Sequence, residues 1–362
     1  QNDIHWIECA YPGVRRGNHD RNQWAKFFRN DILRYPNLPI IKQSINLGLK
    51  NYDLPKIFYD STPCPNRQKG GSEEAEKLLS TFLNSRGENY QYEMSSPISA
   101  EKSCSRLSTH LTYGTISHRS VFQEATQKKE KIQLTNKKFA KSINSFLSRL
   151  HWRSHFIQKL EDQPSIEHES FIPVYDQIRE KDFRKLDAWI EGKTGVHFID
   201  ACMIYLRNHG WINFRMRAML ASFASYNLWQ DWRYFGPRLA ALFTDFEPGI
   251  HYSQLQMQSG TTGINTIRMY NPYKQALDQD PEAKFIKSQL PEYNNFPPSF
   301  FFKPPELSNN ENLFNDSKLE TIVDVTKTAK FARDKIFSIR KLPEHQKMAK
   351  NVFIRHGSRQ NR

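Results

Sequence analysis

The stretch FRMRAMLASFASYNLWQDWR (214–233) decides how the chain is to be read. Met216, Met219, Leu220, Phe223 and Tyr226 recur at three- and four-residue steps, the period of one α-helical face. Ala221, Ala224 and Leu228 form a second apolar face, and Arg217 stands on it. A helix that is apolar around most of its circumference belongs inside a protein. Arg217 is therefore expected to be buried, and a buried guanidinium left without a counter-charge is strongly destabilising. Asp245 and Glu247, just past the next helical pattern, are the candidates to meet it. Such a pair is either a structural ion pair or the lining of a cofactor pocket, and spacing alone leaves both open.

Helical patterns continue on both sides of this stretch, over 116–127, 138–160, 198–208 and 237–243, joined by short polar links. Alternating strand patterns are nearly absent and no strand–helix–strand unit can be built, so residues 69–290 read as one mainly α domain. Gly70-Gly71-Ser72 opens its first helix, with Ser72 as the expected N-cap and Glu73, Glu74 and Glu76 complementing the helix dipole. Residues 1–68 hold no sustained period and are rich in Asn, Pro, Arg and aromatics. They are expected to form an extended segment packed on the body, with one short helix near 24–33. Residues 291–320 are rich in Pro, Asn and Phe and read as an irregular surface excursion. Residues 321–362 read as a basic helix or tail: from Lys327 onward eleven Lys and Arg face only Asp334 and Glu344. That segment is either a solvated tail or an arm for a polyanion.

Composition bounds the function. The 362 residues carry 52 Lys and Arg against 38 Asp and Glu, a net charge of +14, which favours polyanionic partners. A 38% hydrophobic share with 13% aromatics suffices for a substantial core and excludes wholesale disorder. No stretch is long and apolar enough to span a membrane, and the polar N-terminus does not resemble a signal peptide. Cys9, Cys64, Cys104 and Cys202 lie far apart with no CxxC pair, as expected of free thiols in a reducing, cytoplasmic setting. The 15 glycines fall below the usual share of roughly 7%, against a glycine-rich nucleotide-binding sheet.

Two further segments carry chemistry. In SCSRLSTHLTYGTIS (103–117), Ser103, Ser105, Ser108 and Thr109 crowd ahead of an apolar helix, where hydroxyls and free N–H groups suit either a phosphate or simple capping. In SFLSRLHWRSHF (145–156), Arg149, Trp152 and Arg153 interleave charge with an aromatic face. That pattern fits either base stacking with phosphate contact or a snorkelling surface. His151 and His155 have metal-pair spacing but no third ligand, so no metal site is expected.

Taken together these segments resemble the FAD-binding helical domain of the photolyase/cryptochrome family. The motifs are SRLSTHLTYGTIS (105–117), LHWRSHF (150–156), AWIEGKTGVHFIDACM (188–203), HGWINFRMRAMLASF (209–223), QDWR (230–233) and RMYNPYKQ (268–275), in family order. The family's N-terminal α/β antenna domain has no counterpart in this chain. The resemblance implies an all-helical fold holding non-covalent FAD. It implies that Tyr92, Ser105, Arg106, Leu107 and Ser108 lie at the diphosphate, with Cys104 in place of a usual Thr. Phe146, Arg153, Phe214, Arg217, Asp245, Glu247 and His251 would complete the cofactor site. Glu247 stands where an Asp is usual, and His251 takes the position facing flavin N5, often Asn.

The implied activity is that of a deoxyribodipyrimidine photolyase-like lyase. Light-excited reduced FAD passes an electron to a pyrimidine dimer flipped out of UV-damaged DNA, with the cyclobutane type favoured. Trp152 matches the aromatic wall against the lesion. Arg149 replaces a Glu, Met257 a second Trp wall, Phe214 an Asn and Ala218 a Met; Trp152, Arg149, Met257 and His251 form the implied catalytic set. Trp232 and Trp189 match two members of the family's electron-transfer chain and Leu255 replaces the third; either Tyr252, Trp229 or Trp211 is a substitute route, or the chain is broken there. The altered pocket motivates an alternative: a cryptochrome-like blue-light flavoprotein that binds DNA or partners without repair. A monomer, nucleoid-associated when bound to DNA, is expected.

Overall fold

The computed structural model describes residues 11–17, 21–34, 63–304 and 321–357. Cys9, most of the expected extended segment, the second half of the 291–320 excursion and the last residues of the tail lie outside them. In chain order the helices are α1 (Trp24–Arg34), α2 (Ser72–Thr81), α3 (Tyr90–Glu93), α4 (Pro97–Ser103), α5 (Ser108–Thr112), α6 (His118–Ile132), α7 (Lys137–Asp162) and α8 (Phe183–Glu191). They continue as α9 (His197–His209), α10 (Phe214–Ser222), α11 (Trp232–Ala240), α12 (Pro248–Ser259), α13 (Pro272–Gln279), α14 (Lys284–Gln289), α15 (Val325–Arg340) and α16 (Pro343–His356). Among the described residues no strand forms; one isolated bridge joins Glu180 and Gln230. No described helix is long and apolar enough to cross a membrane.

Local chemistry moves several boundaries. The helix expected over 214–231 stops at Ser222, makes one π-turn over Phe223–Asn227 and ends. The apolar pattern runs on, but Trp229 takes φ 55° and Asp231 caps a new helix by accepting from the Arg233 N–H. That new helix, α11, begins five residues before Pro237, whose missing N–H leaves the Arg233 carbonyl without its helical donor. Ser72 is not an N-cap. The position goes to Gly71 at φ 101°, which only glycine adopts without strain, and Ser72 becomes the first helical residue. Part of the 291–304 stretch is core rather than surface: Phe301 is buried against the His197 ring, 5.4 Å between centroids.

The two largest of four hydrophobic clusters among the described residues make the body. Helices α2 to α7 enclose one around Phe82, Tyr90, Ile143 and Phe146. Helices α8 to α14 enclose the larger one around Trp189, Phe198, Met219, Phe223 and Trp232. Across the seam α12 lies on α7 so closely that a Cβ on Gly249 would stand 2.6 Å from Ile157 Cα. Residues 11–17 strap the outside of α7. The Arg15 N–H donates to Gln158 Oε1 at 2.7 Å, Gln158 Nε2 returns a bond to the Arg15 carbonyl at 2.9 Å, and Trp24 Nε1 holds the Gly13 carbonyl at 3.2 Å.

Candidate functional site

The seam between the two cores gathers polar and charged side chains from α5, α7, α10, α12 and the turn before α12. Asp245, in the turn between α11 and α12, has its side chain 3% exposed and accepts from Arg217 Nη2 at 2.8 Å. Arg217 Nε donates to the Ile212 carbonyl at 2.7 Å, and its guanidinium lies 4.2 Å over the Phe243 ring. The burial expected of Arg217 needs correction: its side chain is 25% exposed, and the carboxylate is the buried member. The side chain runs back toward the N-terminal end of α10, as long helical side chains do, and so leaves the core. Burial would raise the Asp245 carboxyl. The charge and hydrogen bond of Arg217 outweigh it, with Ser108 and Arg153 adding, and hold it below the usual carboxylate range.

Glu247 does not share Arg217. It pairs with Arg153 Nη2 at 3.4 Å, while the same nitrogen reaches Thr112 Oγ1 at 3.4 Å. Arg153 Nε donates to the Tyr11 hydroxyl at 2.7 Å, and Thr112 Oγ1 donates to the Asp245 carbonyl at 3.5 Å. A continuous polar network thus joins the N-terminal strap, α5, α7 and the Asp245 turn. His251 lies one helical turn past Glu247, on α12. Its Nε2 meets the Gly236 carbonyl at 2.9 Å, which assigns the proton to that nitrogen and leaves Nδ1 as a free acceptor. Burial, with Arg217 adding, lowers the imidazole to about 4, so the ring is neutral at pH 7.

The loop between α4 and α5 holds the second group of expected residues. Arg106 takes φ 63°, a left-handed conformation that costs a non-glycine residue roughly 1–2 kcal/mol. Gln68 Nε2 bonds its carbonyl at 2.8 Å and its guanidinium stacks 3.7 Å over Trp211. Burial lowers its pKa, with Tyr205 and Glu101 opposing. Ser105 Oγ accepts from the Leu107 N–H at 3.4 Å, Leu107 is buried, and Ser108 begins α5. Arg86 staples the loop from below, donating to the carbonyls of Lys102 and Cys104 at 2.8 Å.

The remaining expected residues are less closely joined. Trp152 stacks on Phe156 at 5.6 Å and meets His155 edge-on at 5.0 Å. Arg149, one turn earlier on α7, is exposed, Met257 is half-buried near the end of α12, and Phe214 is 54% exposed. Phe146 is a core residue between Phe82 and Tyr90, at 4.7 and 6.2 Å. Tyr92 points outward, 60% exposed, with Lys138 5.9 Å from its ring, so no contact joins it to the 105–108 loop. Trp232 donates to Ser170 Oγ at 3.0 Å and meets the Tyr252 ring at 6.1 Å; Tyr252 in turn meets His251 at 5.2 Å. Trp189 packs on Phe235 at 5.7 Å, with its indole N–H buried and unbonded.

The sequence pattern held no sign of Tyr11 or Gln68 at the site, because each acts from a segment without periodicity, and Arg86 stands at the end of the π-turn that continues α2 with nothing in its spacing to mark its role. Thr112 was within reach, inside the quoted Ser/Thr-rich motif.

Asp245 Oδ1 and Arg106 Nη1 are among the buried polar atoms that have no hydrogen-bond partner. An acceptor at one end and a cationic donor at the other match the imide N–H and the diphosphate of a flavin dinucleotide. The residues present therefore fit FAD.

The comparisons agree with that chemistry. Residues 146–338 match the family model described as the FAD binding domain of DNA photolyase. A deoxyribodipyrimidine photo-lyase of Halobacterium salinarum is 30% identical over 269 residues, covering 70% of this chain and 55% of that protein. That of Streptomyces griseus is 29% identical over 246 residues, covering 68% and 51%. The chain thus spans about half the length of these curated relatives. Among solved structures, an archaeal photolyase from Sulfolobus tokodaii with two FAD molecules superposes with TM-score 0.61 at 29% identity, covering 75% of this chain and 57% of that one. The Synechocystis cryptochrome superposes with TM-score 0.73 at 21% identity, covering 85% and 67%, a likeness of fold. With more than half of its residues inside the family match, the chain belongs to the FAD-binding domain family of DNA photolyases.

Proposed function

We propose that the chain repairs UV-induced pyrimidine dimers in DNA, of the cyclobutane type, using light absorbed by FAD. The observation that carries this reading is the buried Asp245 carboxylate, ion-paired through one oxygen to Arg217 and left with an unmet acceptor on the other. Reduced FAD, when bound, supplies a photoexcited one-electron donor. The protein side chains then have separable tasks. Asp245 holds the flavin imide and Arg217 balances the negative charge. Neutral His251 offers Nδ1 to an N–H donor, which favours the reduced, N5-protonated ring. Arg106 and the Ser105–Ser108 loop hold the diphosphate.

Base flipping is required because the reacting bonds of a dimer are out of reach in a stacked duplex. Trp152 presents the apolar wall that replaces the lost stacking, and the exposed Arg149 donates to base carbonyls where a carboxylate would accept from ring N–H groups. Met257 fills the second wall. The contacts Trp232–Tyr252–His251 support an electron route to the flavin that bypasses Leu255. Changing Trp152→Ala is expected to weaken dimer binding by about 1–3 kcal/mol, the worth of one aromatic stacking platform, while FAD content is retained. Unchanged affinity for a dimer-containing oligonucleotide would remove Trp152 from the substrate site.

A second reading, light sensing without repair, is favoured by one observation. Phe214, 54% exposed, stands where the resemblance implies an Asn and offers a base no polar group. Light-induced flavin reduction with no lesion turnover would select it.

A further inference from the structure

The strap at residues 11–17 is pinned by polar bonds along its length. The Gly13 N–H donates to Asp31 Oδ2 on α1 at 2.7 Å, and Ser154 Oγ on α7 donates to the Pro12 carbonyl at 3.3 Å. The Val14 N–H closes a turn onto the Tyr11 carbonyl at 3.0 Å. Gly13 takes φ 76° in that turn, and a Cβ there would stand 2.6 Å from the Phe28 ring. These bonds fix one side chain in particular. The Tyr11 ring leans on that of His118, 5.9 Å between centroids, and its hydroxyl accepts from Arg153 Nε at 2.7 Å, the shortest bond that Arg153 makes.

Arg153 has two carboxylates within its reach. It is buried and needs a counter-charge, which Glu247 supplies at 3.4 Å. Asp245 is the more deeply buried acid, and its Oδ1 is unmet. Only one hydroxyl separates Arg153 from the Asp245 turn: Thr112 Oγ1 takes Arg153 Nη2 and donates to the Asp245 carbonyl. The charge of Arg153 already helps to hold the Asp245 carboxyl down, after that of Arg217. A planar guanidinium favours two parallel bonds to a single carboxylate. With Nε on Tyr11 and Nη2 shared by Thr112 and Glu247, neither edge of the fork is open to make that pair with Asp245. The Tyr11 phenol suits this task. Burial raises it, with Arg153 opposing, so the group stays neutral and accepts from Nε without competing for the charge.

We propose that Tyr11 is a positioning residue of the flavin site: by holding Arg153 Nε it turns the guanidinium onto Glu247 and Thr112 and keeps Asp245 Oδ1 open for the flavin imide. This inference rests on the reading that Asp245 holds the imide. It assigns the N-terminal strap a part in cofactor binding, exercised through the choice of ion pairs in the seam. Without the phenolic oxygen, a buried Nε–H loses its acceptor, and Asp245 Oδ1 is the unmet acceptor beside it. Arg153 then turns to Asp245 and competes with the imide for the same oxygen.

The test is a double-mutant cycle on the full chain carrying FAD, with release of FAD on dilution read by the recovery of flavin fluorescence. Tyr11→Phe keeps the ring against His118 and removes only the acceptor. It should weaken FAD binding about three- to tenfold, the worth of one hydrogen bond. In an Arg153→Gln background the same change should have no further effect, because no guanidinium is left to misdirect. The midpoint potential of the FAD that stays bound gives a second reading. Arg153 drawn onto Asp245 cancels negative charge beside the ring, so Tyr11→Phe should raise the potential, again only where Arg153 is present. Equal losses of affinity in both backgrounds, or a loss with the potential unmoved, would mean that Tyr11 merely packs the strap and would overturn the proposal. No loss at all would overturn it too. Asp245→Ala measured alongside keeps the two readings apart. If it loses FAD while Tyr11→Phe does not, only the role of Tyr11 falls; if it holds FAD like the unaltered chain, the imide contact falls and takes the proposal with it.

Discussion

At the scale of single residues, the site depends on which member of each charged pair is buried. The Asp245 carboxylate is enclosed and Arg217 reaches it from a partly open position, so the pair presents negative charge inward and positive charge toward solvent. This much was readable in advance only as a pairing: the apolar faces of 214–233 demanded a carboxylate for Arg217, and Asp245 supplies it. That Glu247 would serve Arg153 instead was not readable, because Tyr11 and Thr112, which complete the Arg153 network, lie 142 and 41 residues away. His251 gives the residue-scale prediction. Its folded pKa of about 4 lies below the ordinary value of 6.5, so the unfolded chain binds a proton that the folded chain refuses. Stability is therefore full above pH 6.5 and falls as the pH drops toward 4, by up to about 1.36 kcal/mol per pH unit for this one group. Urea unfolding at pH 7 and pH 5 should show His251→Asn losing less stability on acidification than the unaltered chain. Equal acid losses would mean that the ring is not held neutral.

At the scale of elements, the close approach of α12 to α7 sets the distance between His251 on one and Arg153 on the other. Gly249 permits it, since a side chain there would meet backbone atoms of Ile157 and Phe156 that cannot turn aside. Gly249→Ala should cost about 1–3 kcal/mol in urea unfolding, the range for overpacking in a well-packed core. An unchanged midpoint would show that the two helices have room to separate. Periodicity found the long elements because their apolar faces are extensive: α7 and α9 lie within a few residues of their expected limits. It failed where backbone geometry ends a helix that the side chains would continue, as at the π-turn over Phe223–Asn227. It failed again at the Arg106 loop, where a non-glycine residue holds positive φ against its own preference.

For the molecule as a whole, the two cores meet along the seam that holds Arg217, Asp245, Arg153 and His251, and the 11–17 strap ties the α7 side of that seam together. The basic charge of the composition is now divided. Arg153 and Arg217 are committed to carboxylates in the seam, whereas Lys330 and Arg333 on α15 have no carboxylate partner among the described residues. What length and charge could announce was a helical protein for a polyanion. The chemistry of the seam required side chains from segments far apart in sequence, and only folding brings those together. The central claim is that this seam, loaded with FAD, drives repair. The most direct measurement is the disappearance of cyclobutane dimers from a defined oligonucleotide incubated with the purified chain under blue light, against an identical sample in the dark. Restored pyrimidines are expected in the light alone, with repair slowed by Trp152→Ala at limiting oligonucleotide. Flavin present and reduced, with dimers untouched in both samples, would contradict it.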